Sequence, residues 1–122
     1  DLAPEARQWD YELLRVGRHF RYDSQTKVVV GKDESQNEQL RLMAAQDRAS
    51  SCWIIEPENF RGPTVLVTGP FSPSAQRFAT GLILRYSKAY DAENARLVYE
   101  VNGEREFFVA ESNELAVAAE AI

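Results

Sequence analysis

Two short runs, CWIIEP (residues 52–57) and PTVLVTG (63–69), carry apolar side chains at consecutive positions rather than alternate ones. In a β-strand successive side chains point to opposite faces, so both faces of such strands must be kept from water. A chain of 122 residues has length for one domain and one core, and it must cover these strands within that length. The loop between them, with Pro57, Gly62 and Pro63, is the break that keeps them separate.

The remaining elements follow from periodicity and punctuation. Residues 18–22 and 27–31 read as a hairpin around the polar loop DSQT, its second strand carrying the β-branched run Val28, Val29, Val30. Asp33 stands three residues before Gln36 and Ser35 three before Glu38, so either caps a helix through ESQNEQLRLMAAQ, whose buried stripe is Leu40, Met43 and Ala44. A second helix opens at Ser72, with Pro73 at its first position, and is expected to reach about Tyr90. At about 100° per residue, Ala75, Phe78, Ala79, Leu82, Ile83, Tyr86 and Tyr90 gather on its core side, and Arg77, Gly81, Leu84 and Lys88 fall opposite, with Arg85 at the edge. RLVYEVNGEREFFVA is a hairpin signal, because Asn102 and Gly103 accept the positive φ values of a type I′ turn. Counting back from the turn sets Glu100 opposite Arg105 and Val98 opposite Phe107, a register that suits a cross-strand ion pair beside an apolar pair. The tail SNELAVAAEAI reads as one more short helix. The expected fold is a single α+β domain over residues 1–122, with about six strands in hairpins and a mixed sheet, and two main helices.

Several function classes recede. No apolar run approaches the roughly 18 residues of a membrane-spanning helix, nothing at the start resembles a signal peptide, and a cytoplasmic setting follows by default. The start DLAPEARQWD, without an initiator methionine, suggests a piece of a longer polypeptide. Cys52, the single cysteine, has no disulfide partner within the chain and reads as a small buried side chain. With one histidine, His19, and one cysteine, neither a nucleophile–base pair nor a metal site is expected, and no phosphate-cradling glycine loop is present. Glu104, Glu106, Glu111 and Glu114 read as solvated positions. Neither a cofactor nor an independent enzymatic activity is expected.

Charge is more informative. The chain carries a formal net charge of −5, yet residues 15–32 hold Arg15, Arg18, Arg21, Lys27 and Lys32 against Asp23 alone, and residues 59–90 hold Arg61, Arg77, Arg85 and Lys88 with no acid. Surfaces ordinarily intersperse both signs. If the first hairpin and the outer face of the second helix are neighbours, Arg18, Arg21, Lys32, Arg77 and Lys88 share one solvent-facing basic surface on an acidic body, suited to phosphates. Phe20 and Tyr22, among these cations, are either core residues, Phe20 the more readily, or platforms for unpaired bases. Gly81 makes sense where another backbone comes close, that of a neighbouring element or of a nucleic acid.

The order RHFRYD, KVVVGKDESQNEQL, CWII, GPTVLV, FATGLILRYSKA and RLVYEV over roughly residues 15–101 resembles the NFACT-R domain, an RNA-binding module. Its most specific parts are Arg18 with Phe20, Val30–Gly31–Lys32, Asn37–Glu38 and the pair Tyr86–Ser87. Larger members have an Asp-x-Trp-x-His pattern on the middle strand; this chain keeps Trp53 but has Ser51 and Ile55 at the acid and histidine positions, and Thr64 where a further histidine is usual. These departures resemble the shorter bacterial branch, a C-terminal appendage of ATP-pyrophosphatase proteins similar to tRNA thiouridine synthases.

The resemblance implies an RNA-binding module, for tRNA, presenting its ligand to a fused ATP-dependent domain. The residues that would carry binding are Arg18, Arg21, Lys32, Asn37, Arg77, Arg85 and Lys88. Lys32 would act with exposed amides at the capped helix start as an anion site. Asn37 is either a helix-start hydrogen bond to the nearby loop or an RNA contact. The rival reading is a protein-docking or dimerisation module whose acidic portion meets a catalytic domain or another subunit.

Overall fold

The two unalternating runs lie at the centre of one six-stranded sheet. In the computed structural model, which describes residues 4–46, 52–88, 90–91, 93–101, 103–110 and 114–121, the element order is α1 (Pro4–Leu14), β1 (Arg18–Arg21), β2 (Lys27–Val30), α2 (Glu34–Ala44), β3 (Cys52–Pro57), β4 (Val65–Thr68), α3 (Pro73–Arg85), β5 (Arg96–Val101), β6 (Glu104–Val109) and α4 (Glu114–Ala118). The strand order is β1-β2-β4-β3-β5-β6. Apolar groups on both faces of the central strands find cover on both. Val28, Val30, Trp53, Ile55, Val65 and Val67 form one core with Phe78, Ala79, Leu82 and Ile83 of α3. Val29 and Leu66 point the other way and pack with Trp9, Leu13, Leu40 and Met43 of α1 and α2.

The expected α+β domain of six strands is present, but its sheet is antiparallel throughout rather than mixed. The reason lies in the crossovers. α2 joins β2 to β3, which run parallel, yet β4 is inserted between them; α3 joins β4 to β5, and β3 lies between those. Each crossover thus skips one strand, and the parallel strands never touch. The last hairpin has the expected register, with Glu100 facing Arg105 and Val98 facing Phe107. Gly103 has φ +82°, while Asn102 lies outside the described residues; the described ion pairs do not include Glu100 with Arg105.

Helix ends follow side-chain chemistry. Asp33, not Ser35, caps α2 by accepting from the Gln36 amide at 2.9 Å. Ser72 caps α3, accepting from the Ala75 amide at 3.1 Å, with Pro73 at the first position. α3 ends at Arg85, short of the expected Tyr90, because Ser87 turns its hydroxyl back to donate to the Ile83 carbonyl at 2.6 Å, leaving Tyr90 beyond the helix. The helix α1 was not expected: Trp9 and Leu13 are two apolar anchors where a recognisable stripe shows three or four. It is held by their burial and by the Trp9 indole N–H donating to the Met43 carbonyl at 3.0 Å.

Thr64 is the joint between α2 and the sheet. Its carbonyl accepts from the Gly31 amide, its amide donates to Asn37 Oδ1 at 2.9 Å, and its hydroxyl donates to Glu56 Oε1 at 2.8 Å. Glu56 also receives Arg41 Nε at 2.5 Å, and Arg41 reaches Glu34 and Glu38 as well. A β-carbon on Gly31 would lie 2.1 Å from Asn37 Oδ1, so only glycine lets the helix start come this close. Among the described residues no helix is long and apolar enough to cross a membrane.

Candidate nucleic-acid interface

Strand β1 has a period of two, which sorts its cations. Arg18 and Phe20 face α3; His19 and Arg21 face α1 and α2, as their cross-strand partners Val29 and Lys27 show. Phe20 is fully buried, bringing Arg18 beside the end of α3. There the Arg18 guanidinium carbon lies 5.0 Å from the centre of the Tyr86 ring, and that of Arg85 lies 5.1 Å from the same ring and 5.8 Å from Phe20. Both distances to Tyr86 are within cation–π range. Arg85 is further fixed by donating Nη1 to the carbonyls of Ala116 and Ala119, at 3.2 and 2.6 Å. The tail helix α4 packs along α3, and Gly81, expected on the exposed side, is buried.

The same end of the sheet collects further cations. Ser87 sits so tightly against the β3–β4 loop that a β-carbon on Gly62 would come within 2.2 Å of its hydroxyl oxygen. This contact sets exposed Arg61, next to Gly62, near exposed Lys88, next to Ser87. Phe60 of that loop packs against Tyr90 with centroids 5.6 Å apart. Among the described residues, ion pairs engage Arg41 and Arg96 but none of Arg18, Arg61, Arg85 or Lys88. Cations gathered without carboxylate partners form a field that attracts phosphate.

The seven residues expected to carry binding therefore separate. Arg18 and Arg85 come together at Tyr86, and exposed Lys88 follows Arg85 by three residues in the chain. Arg77 is exposed on α3, eight residues before Arg85 and so about 12 Å away along the axis. Arg21 and Lys32 lie on the α1–α2 side and do not share the surface of Arg18. Asn37 takes the structural one of its two readings, since it is only 5% exposed and its carbonyl oxygen is held by Thr64. At the helix start beside Lys32, where an anion site was expected, three backbone amides already have acceptors within the chain. The Lys32 amide donates to Gln36 Oε1 at 3.0 Å, the Gln36 amide is taken by Asp33 Oδ1, and the Asn37 amide by the Asp33 carbonyl. Arg61, Tyr86 and Tyr90 were not among the expected site residues; the acid-free stretch from 59 to 90 contains all three and was the available signal.

Two titratable groups report on the rest of the surface. Burial pushes the Cys52 thiol up to about 11, which keeps it protonated and unreactive at neutral pH. His19 lies three strand spacings away, about 14 Å, so the two form no catalytic pair. The His19 imidazole is held below its ordinary range, first by burial and then by Lys27, with its Nε2 at 3.0 Å from the Val16 carbonyl. A lowered folded-state value means the unfolded chain takes up the proton more readily. The stabilising contribution is complete above the ordinary histidine range and is lost as pH falls below it. Thermal stability is expected to fall between about pH 7 and pH 5, and His19→Gln to flatten that part of the profile. A profile unchanged by the substitution would remove His19 as its cause.

Comparison with known proteins adds to this geometry. Residues 17–119 match the profile of the family described as NFACT protein RNA binding domain. No curated protein matches the chain. Among solved structures, the C-terminal part of the fibronectin/fibrinogen-binding protein from Streptococcus suis superposes with a TM-score of 0.63 at 18% identity, over 84% of this chain and 47% of that one. The present chain thus spans about half of that structure, and the likeness is one of fold.

Proposed function

The chain belongs to the NFACT protein RNA binding domain family, and from that premise we propose that it binds tRNA and presents it to a fused or associated ATP-pyrophosphatase domain of the kind found in tRNA thiouridine synthases. In this reading the module supplies affinity and orientation. Activation of the base with ATP and sulfur transfer belong to the other domain. The observation that carries it is the pairing of Arg18 and Arg85 over Tyr86, beside Lys88 and Arg61, with no carboxylate bridging them among the described residues. The replaced family positions support the shorter branch. Ile55 and Thr64 are buried, so neither offers the polar surface that histidines there would give, and Ser51 lies outside the described residues.

A phosphate-based interface of about four cations gives a log–log salt slope near −3, and non-specific contacts of this kind are intrinsically weak. Titration of tRNA between about 50 and 200 mM salt is expected to show that slope. A salt-independent isotherm, or none at all while the upstream catalytic domain docks tightly, would favour the protein-docking alternative. The feature that speaks for that alternative is the β6 edge strand, where Phe107 and Val109 are 62% and 56% exposed.

A further inference from the structure

Phe20 and Tyr22, the aromatics that stand among the first block of cations, are spent on packing. Phe20 is fully buried, and Tyr22 rests on Phe78 with centroids 5.0 Å apart. Tyr90 has the opposite fate. Its place on the apolar stripe of an extended helix would have buried it, but α3 stops at Arg85 and leaves the residue 39% exposed. One side of the ring is backed by Phe60 at an interplanar angle of 44°, which limits its freedom without covering it.

The surroundings of Tyr90 separate it from the other exposed aromatics. Tyr11 lies between Asp10 and Glu12, and Phe107 follows Glu106. Phe71 stacks on Tyr99, whose hydroxyl donates to Glu106. Tyr90 instead follows Lys88 by two residues, no more than about 7 Å of chain, and its partner Phe60 adjoins Arg61. The nearest acid in sequence, Asp91, turns its carboxylate into the following turn, accepting from the Glu93 amide at 3.0 Å and from Asn94 Nδ2 at 2.7 Å.

We infer that the ligand of this surface is an unpaired stretch of RNA, with one base stacked on Tyr90 while the flanking phosphates lie on Lys88, Arg61 and the Arg18–Arg85 pair. The inference rests on the RNA-binding reading and narrows it. Bases inside a duplex have both faces covered by their neighbours, so a ring platform selects nucleotides in loops and free ends. Cations alone would hold duplex and single strand alike.

The test compares an unstructured RNA of about 12 nucleotides, within the range of single-strand site sizes, with a blunt duplex of the same length at about 50 mM salt. The single strand is expected to bind more tightly. Tyr90→Ala should weaken it about tenfold, the scale of one lost stacking contact, and leave the duplex unchanged; Tyr90→Phe should retain wild-type affinity. Tyr90→Leu, which keeps an apolar cover on Phe60 but lacks a π-face, guards against a folding defect and should behave like the alanine variant. Equal affinity for both RNAs, or a Tyr90→Ala loss shared by both, overturns the inference and leaves RNA binding standing. Absence of binding to either RNA overturns both readings.

Discussion

Replacing Arg18 and Lys88 together by glutamate is expected to abolish tRNA binding at about 50 mM salt, where phosphate contacts are strong, without unfolding the domain. Two favourable phosphate contacts are lost and two repulsive ones gained, a change on the order of 100-fold when each contact releases about one counterion. Any residual binding should show a salt slope lower by about 1.5, half of that expected for the four cations. Structural damage is expected to be small. Both side chains are exposed and neither holds a carboxylate among the described residues, so the loss is confined to the contact of Arg18 with Tyr86, on the order of 0.5–1 kcal/mol. The control is Arg21→Glu with Lys32→Glu, an equal charge change on the α1–α2 side. If the control weakens binding as much as the first pair, the interface is a diffuse field over both faces. If neither does, the domain does not use its cations to bind RNA.

Asn37→Ala tests the opposite assignment, because it should cost stability and no affinity. The substitution strands the Thr64 amide, which has Asn37 Oδ1 as its acceptor at a site where Thr64 is only 1% exposed. Leaving one buried donor unsatisfied costs about 1–3 kcal/mol, which for a domain of this size lowers the melting temperature by roughly 5–10 °C. RNA affinity measured well below the transition should match wild type, since Asn37 reaches no solvent-facing surface. Unchanged melting with weakened RNA binding would restore Asn37 to the interface. Calorimetry and a binding titration on the same preparation decide between the two.

These contrasts show where the sequence was legible. Unalternating apolar runs required cover on both faces, and helices occupy both. Ser72 and Asp33 announced their helices because a side-chain oxygen before an amphipathic run satisfies free amides locally. The hairpin register followed from a two-residue turn. For the caps and the turn the determining contact lies within a few residues, and for the apolar runs the demand for cover, though not what supplies it, is local. The separation of Arg18 from Arg21 overturns the expected shared surface, although residues three apart on a strand face opposite ways and the alternation was there to be read. The meeting of Arg18 with Arg85 was not. It depends on β1 being the edge neighbour of β2 and on where Ser87 ends α3, and neither is encoded in local periodicity. Asn37 was ambiguous for the same reason, because its partner Thr64 is 27 positions away.

The strand order also has a consequence for how the chain assembles. β1 with β2, β3 with β4, and β5 with β6 are each consecutive in sequence, so three of the five strand pairings close loops of only a few residues. Loop-closure entropy is small for such hairpins, and each forms on the microsecond scale. The joins between β2 and β4 and between β3 and β5 wait for α2 and α3 to cross the sheet, which places the slow step of folding in the docking of ready-made hairpins. Arg18 and Arg85 belong to different hairpin-and-helix segments. The end of the molecule where Arg18 meets Arg85 therefore depends on the docking of separate segments, and a partly folded chain carries these cations without yet bringing them together.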